Sequence, residues 1–320
     1  VDPYDGFQYD LNNPNSKLGA GDKLRYHYAL AASISEATLL TRFNTPKISG
    51  YVGGNYVFTH YQRDGKFKHE AYPNSSYGKS KKQSFSSGNL KAGLTYKITG
   101  KHLLQANAAW LNRAPSLRNS FSNPRETNAI VGELANRPLR NEQTLTADAS
   151  YIFRSPILNA RLTAFYAQIK DANEISFFFA EGIGGDTSSF VQEIMQGIQK
   201  RHVGLEFGAE GALSHSFKLK AAAAIGHYTY ANDPQVYLTS DDFGYLDFGL
   251  AKMKNIRLAS GPQEAYSLGF SFRENFWWAG LTANYFNRTY LDISPINRTH
   301  NFLLDQDGLP INNYDPDQAR

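Results

Sequence analysis

The chain has 320 residues, of which 41% are hydrophobic, 14% aromatic and only 19% charged, a balance that excludes a disordered polymer. Cysteine is absent, which excludes a disulfide scaffold, a thiolate zinc site and a cysteine nucleophile. A formal charge of +4 is too mild to argue for nucleic acid, and no apolar run approaches the ~18 residues of a transmembrane helix. A membrane is not thereby excluded, because a transmembrane β-strand needs only about 10 residues with every second one apolar.

The chain opens Val1-Asp2-Pro3-Tyr4, without the basic-then-apolar start of a signal peptide. After a long first loop over 1–22, strands are expected at 24–43, 48–62, 84–98, 102–113, 142–154, 157–171, 199–213, 216–231, 262–273 and 276–290. Their signature is alternation. Leu90, Ala92, Leu94, Tyr96 and Ile98 alternate with Lys91, Gly93, Thr95 and Lys97, and Leu145, Ala147, Ala149, Tyr151 and Phe153 alternate with Thr144, Thr146, Asp148 and Ser150. Val203, Leu205, Phe207 and Ala209 make a third apolar face, Phe217 to Ile225 a fourth, and Tyr266 to Phe272 a fifth. Successive strand side chains point to opposite sides, so each run has one apolar and one polar face. Several runs extend to about 12–15 residues, longer than the strands of a soluble sandwich and long enough to cross a tilted hydrocarbon layer.

The connections alternate as well. Short turns fall at Asn44-Thr45-Pro46-Lys47, Thr99-Gly100-Lys101, Ser155-Pro156, Ser214-His215-Ser216 and Arg273-Glu274-Asn275, with long polar loops near 63–83, 114–141, 172–198, 232–261 and 291–320. Short turns at one end and long loops at the other describe an outer-membrane barrel with periplasmic turns and extracellular loops. Trp110, Trp277, Trp278, Tyr285, Phe286 and Tyr290 lie near strand ends and fit its interfacial aromatic girdles. The expected fold is all-β, an antiparallel transmembrane β-barrel portion in one domain over 1–320. Both ends read as cut in mid-architecture, since nothing before Arg320 resembles a final aromatic strand.

Asn112-Arg113-Ala114-Pro115-Ser116, Leu139-Arg140-Asn141-Glu142-Gln143 and Ala164-Phe165-Tyr166-Ala167-Gln168-Ile169-Lys170-Asp171 resemble successive landmarks of TonB-dependent outer-membrane receptors. Gly204-Leu205-Glu206 and the run Phe276-Trp277-Trp278 through Tyr290-Leu291-Asp292 continue the series, the latter resembling the branch found in Bacteroidetes. The resemblance implies a barrel of about 22 strands around a plug, of which about ten strands are here and the plug is absent from this chain. It further implies energised uptake of a scarce ligand (a metal chelate, cofactor, glycan or peptide). The implied partners are the TonB complex, through segments not in this chain, outer-membrane lipids and lipopolysaccharide, and a surface lipoprotein. The alternative is a non-transport barrel subunit that docks partners in an outer-membrane assembly.

No arrangement of residues reads as an active site, a resident cofactor or a nucleic-acid interface, and the chain is not read as an enzyme. Glu206 and Glu210 share a strand face, and a turn pairing Leu213 with Phe217 would set Glu210 opposite Lys220 as a lumen salt bridge. Arg118, Arg125 and Arg137, with Arg140, lie in the loop 114–141 and suit an anionic ligand; contact with anionic lipopolysaccharide is the plainer account. No metal site is expected: the eight histidines lack close spacing, although His60 and His69 flank one loop, and Asp305-Gln306-Asp307-Gly308 lacks the closing Glu of a calcium loop. Gly182-Ile183-Gly184-Gly185 has no helix after it to cradle phosphate. Phe190, Val191, Ile194, Met195 and Ile198, within 186–200, have helical spacing inside a long loop, with a strand extension of the loop hairpin as the other reading.

Overall fold

The computed structural model describes residues 6–133, 135–180, 189–240, 244–300 and 302. Thirteen strands follow in chain order: β1 (Tyr28–Asn44), β2 (Ile48–Gly65), β3 (Gly78–Lys79), β4 (Gln83–Lys97), β5 (His102–Arg113), β6 (Glu142–Arg154), β7 (Leu158–Ala180), β8 (Ser189–Ala212), β9 (Phe217–Tyr230), β10 (Gln235–Ser240), β11 (Gly244–Leu250), β12 (Glu264–Glu274) and β13 (Trp277–Asn287). The helices described are two short 3-10 turns, Leu117–Ser120 and Pro295–Arg298, and no described helix is long and apolar enough to cross a membrane.

Ten long strands form one antiparallel meander in the order β1-β2-β4-β5-β6-β7-β8-β9-β12-β13, each beside its neighbour in sequence. The short turns fix the register. Thr45 Oγ1 accepts from the Ile48 N–H at 3.0 Å, and Ser155 Oγ does the same for Leu158 at 2.9 Å, so a hydroxyl at each turn start holds the reversal. Leu213 N–H donates to the Phe217 carbonyl at 2.9 Å, and Asn275 takes a left-handed φ of 48° in the last short turn.

With register fixed, residues directly opposite one another share a face. Gly50, Leu94, Ala106, Ala149, Ala164, Leu205 and Ile225 form one lateral row from β2 to β9, part of a continuous apolar face. The face is bare: Leu39 is 76% and Trp277 79% exposed. A contiguous apolar surface of this breadth needs apolar surroundings.

The next row lies on the opposite face and reads Tyr51, Gly93, Asn107, Asp148, Phe165 and Gly204. Here the glycines have a use. The Tyr51 ring lies where a Gly93 side chain would stand, and its hydroxyl donates to Asn107 Oδ1 across β4 at 3.2 Å. Asn107 in turn donates to Asp148 at 3.0 Å, and Asn89 links Asn55 in the same manner at 2.6 Å. The polar face is thus laced from strand to strand by side chains.

The long-loop ends differ from the sequence reading. The stretches 172–180 and 189–198 are not loop; they continue β7 and β8 as a paired ladder. Within 232–261, β10 and β11 form a hairpin that pairs onto β8. The helical spacing of Val191, Ile194, Met195 and Ile198 belongs to this ladder, so the strand reading holds and the helix reading falls. All four are buried because the ladder is covered on both faces, which removes the period-two signal. The glycine-rich segment 182–185 and the stretch 305–308 lie outside the described residues.

Candidate ligand-binding face

At the long-loop end, the β7–β8–β10 ladder is the middle of three layers. On one side lies the loop 114–141, whose Val131 packs on Ile194 and Tyr237. The same loop reaches back to β2, where Phe121 and Ile130 pack on Tyr61. On the other side, Met253 and Leu258 pack on Met195, Ile198 and Val236, and Ile296 packs on Val191 and Leu238.

Two buried charges tie these layers together. Arg63, at the end of β2, is 1% exposed. Its Nε donates to the Pro124 carbonyl at 2.7 Å, Nη1 to the Ser76 carbonyl and Asn128 Oδ1 at 2.8 Å each, and Nη2 to the Arg125 carbonyl at 3.3 Å. The guanidinium also stands 5.3 Å from the centre of the Tyr28 ring. Burial lowers its pKa to about 10, which leaves it charged at neutral pH. One cation thereby joins the loops 63–83 and 114–141.

Glu193 is the second buried charge. Ser176 Oγ donates to its Oε1 at 2.9 Å, and the Ile296 N–H donates to Oε2 at 3.1 Å, fastening the segment after β13 onto β8. Arg298 and Thr299 extend this strap by pairing with Lys252 and Ala251. Burial raises the Glu193 pKa above its ordinary value of 4.5, and the nearby Asp292 raises it further. Between the two values the folded face holds a proton that the unfolded chain has released. The stabilisation is therefore complete below pH 4.5 and is lost as pH rises through the raised value. Glu193→Gln, which keeps an acceptor for Ile296 without the charge, should hold the strap at least as well at neutral pH and flatten its pH response. Hydrogen exchange of the Ile296 amide between pH 4 and 8 reads this, and an unchanged slope in the variant would remove the carboxyl as its source.

The predicted loop arginines separate in the fold. Arg118 is exposed on its 3-10 turn, and Arg125 is exposed with its guanidinium 5.6 Å from the centre of the Tyr26 ring. Arg137 lies apart from both, with Arg140, on a cleft of about 280 Å³ that Asp171, Asn173, Gln196 and Gly197 complete. Glu210 stands opposite Lys220 on the polar face, Nζ to Oε2 at 3.4 Å, and shares its carboxylate with Lys218 at the same distance. Sequence reasoning named neither Arg63 nor Glu193; a lone acid beside Gln192 among the apolar residues Phe190, Val191, Ile194 and Met195 was the available signal for the second. His60 pairs with Ser84 Oγ at 2.9 Å, and His69 is buried in its own loop, accepting from the Ala71 N–H at 3.2 Å. Among the described residues no group of three or more His, Asp and Glu is placed to hold a metal.

One structural likeness and a family model agree with this architecture. The ferric-catecholate import receptor Fiu of E. coli superposes with a TM-score of 0.52 at 14% identity, over 85% of this chain and 37% of that one. The copper transporter OprC gives a TM-score of 0.49 at 16% identity over 80% and 34%, and a mutant of the ferric enterobactin receptor PfeA from Pseudomonas aeruginosa gives 0.31 at 12% over 80% and 48%. At these identities the Fiu likeness speaks to fold alone, and the chain spans between 34% and 48% of the length of these three structures. A search of curated protein sequences found no match. The family model described as TonB dependent receptor-like, beta-barrel matches residues 3–314, and the chain belongs to that family of outer-membrane β-barrel receptors.

Proposed function

We propose that this chain forms part of the wall and the ligand-capturing outer face of a receptor that imports a scarce extracellular ligand across the outer membrane, drawing energy from the TonB complex. Family membership over 3–314 carries the reading. The geometry supports it. The apolar face suits contact with outer-membrane lipid and lipopolysaccharide, the short turns suit the periplasm, and the three-layered face at the other end suits the cell exterior. The TonB complex acts through segments outside this chain.

Orientation is directly testable because the chain has no cysteine to give background labelling. Asn74→Cys, exposed in the loop 63–83, should react with a membrane-impermeant maleimide on intact cells, and Lys101→Cys, exposed in a short turn, only after the outer membrane is permeabilised. The reverse pattern would invert the assignment. Transport is tested by TonB-dependent accumulation from a panel of ferric chelates, corrinoids, oligosaccharides and peptides. Binding that persists without TonB-dependent accumulation of any of them would favour the docking role.

A further inference from the structure

The cleft of about 280 Å³ between the loop 114–141 and the β7–β8 ladder is built on a double irregularity. The register breaks twice, first between the pairs Ile169↔Lys200 and Ala172↔Ile198, then before Asn173↔Gln196. The extra residue on β7 brings Asp171 to a left-handed φ of 55°, and the extra residue on β8 is Gly197 at 70°. Paired bulges of this kind re-aim side chains out of a ladder and recur beside binding sites. Asp171, a residue with a Cβ, holds a conformation that only a fixed surrounding maintains.

The charges around the cleft are the informative part. Arg137 and Arg140 line one wall and Asp171 the other, yet among the described residues neither arginine is within ion-pair distance of the aspartate. Opposite charges that face one cavity without meeting leave room for a ligand that carries both signs. Between them stand two amides, Asn173 and Gln196. Gln196 is 8% exposed; its Nε2 donates to the Arg137 carbonyl at 3.3 Å, while its Oε1 has no donor at all. That oxygen is closed to solvent, so Gln196 forms part of the fixed floor of the cleft, and the groups left open to an occupant are the two arginines, Asp171 and Asn173. At about 280 Å³ the cleft is small, which limits the occupant to a small molecule or one end of a larger one.

We propose that this cleft binds a small zwitterion of the amino-acid or short-peptide class, with its carboxylate on Arg137 and Arg140, its ammonium on Asp171 and its amide group on Asn173. The planar forks of the two arginines match a carboxylate. A polyanion such as phosphate would face repulsion from Asp171, and a neutral glycan would leave all three charges without partners. The proposal rests on the reading of the chain as a ligand-capturing receptor and names the class of ligand.

The test is calorimetric binding to the intact receptor purified from the outer membrane, with alanyl-alanine, its N-acetyl form, its C-terminal amide and inorganic phosphate as probes. Alanyl-alanine should bind, and each blocked form should bind at least tenfold more weakly. The double variant Arg137→Ala with Arg140→Ala should lose at least tenfold toward alanyl-alanine. Asp171→Asn should remove the difference made by N-acetylation while keeping the bulge, since asparagine tolerates the left-handed backbone. Equal binding of free and blocked dipeptides, tighter binding of phosphate, or no dipeptide binding by the unaltered receptor overturns the proposal. TonB-dependent accumulation of a ligand that survives the double arginine substitution would sink the cleft and leave the receptor reading standing; loss of all such accumulation in the unaltered protein would sink that reading first.

Discussion

Ala149→Arg should leave most of the protein outside the membrane, while Thr146→Arg inserts normally. Both positions lie in β6, three residues apart and on opposite faces. Ala149 sits in the apolar row between Ala106 and Ala164, near the middle of Glu142–Arg154. A guanidinium held against hydrocarbon at the midplane costs about 2–4 kcal/mol, because neither water nor a partner charge reaches it. Thr146 faces the other way, toward the surface that carries Asp148, where an added charge stays hydrated. Folding into liposomes, followed by the gel shift between heated and unheated samples, measures the difference. Similar losses from the two variants would mean that the faces are wrongly assigned.

Arg63→Met should release the loop layer while the meander stays intact. The substitution keeps most of the apolar stem but strips the donors from the carbonyls of Ser76, Pro124 and Arg125. Each buried acceptor left without a donor costs about 1–3 kcal/mol, so the local loss is on the order of 3–5 kcal/mol after some carbonyls recover water. Arg63→Lys should fail nearly as badly, because one ammonium cannot reproduce the spread of a planar guanidinium. Hydrogen exchange should show protection lost across 72–80 and 120–130 and retained in β4 to β6. Unchanged protection in those loops would show that apolar packing around Phe121 and Ile130 holds them without the arginine.

The spanning parts of the fold were legible in the sequence because each strand carries its own instructions. Alternation assigns the faces, and a hydroxyl or asparagine at each short turn assigns the register, which is why Glu210 could be set opposite Lys220 from the turn alone. The long-loop end resisted for physical reasons. Where both faces of a ladder are covered, as at Val191 to Ile198, apolar residues recur without period two and imitate a helix. The arginines resisted for another. Whether Arg118, Arg125 or Arg137 meets Arg140 depends on how the loop 114–141 packs against β2 and β10, elements far away in the chain. Arg63 carried no signal, since a buried arginine that pairs with backbone carbonyls needs no acidic partner to betray it.

The meander also dictates an order of assembly. Every long strand pairs with its sequential neighbours, so the sheet can lengthen one hairpin at a time, closing only the turn or loop between neighbours at each step. The bond from Ile296 to Glu193 is of another kind, joining residues 103 apart. The strap that carries it follows β13 in the chain, so this bond closes a loop that contains β9, β12 and β13. The strap is therefore expected to be the last tie of the outer cap to close, and a chain halted before β13 would present the earlier wall with this side of its mouth unlatched.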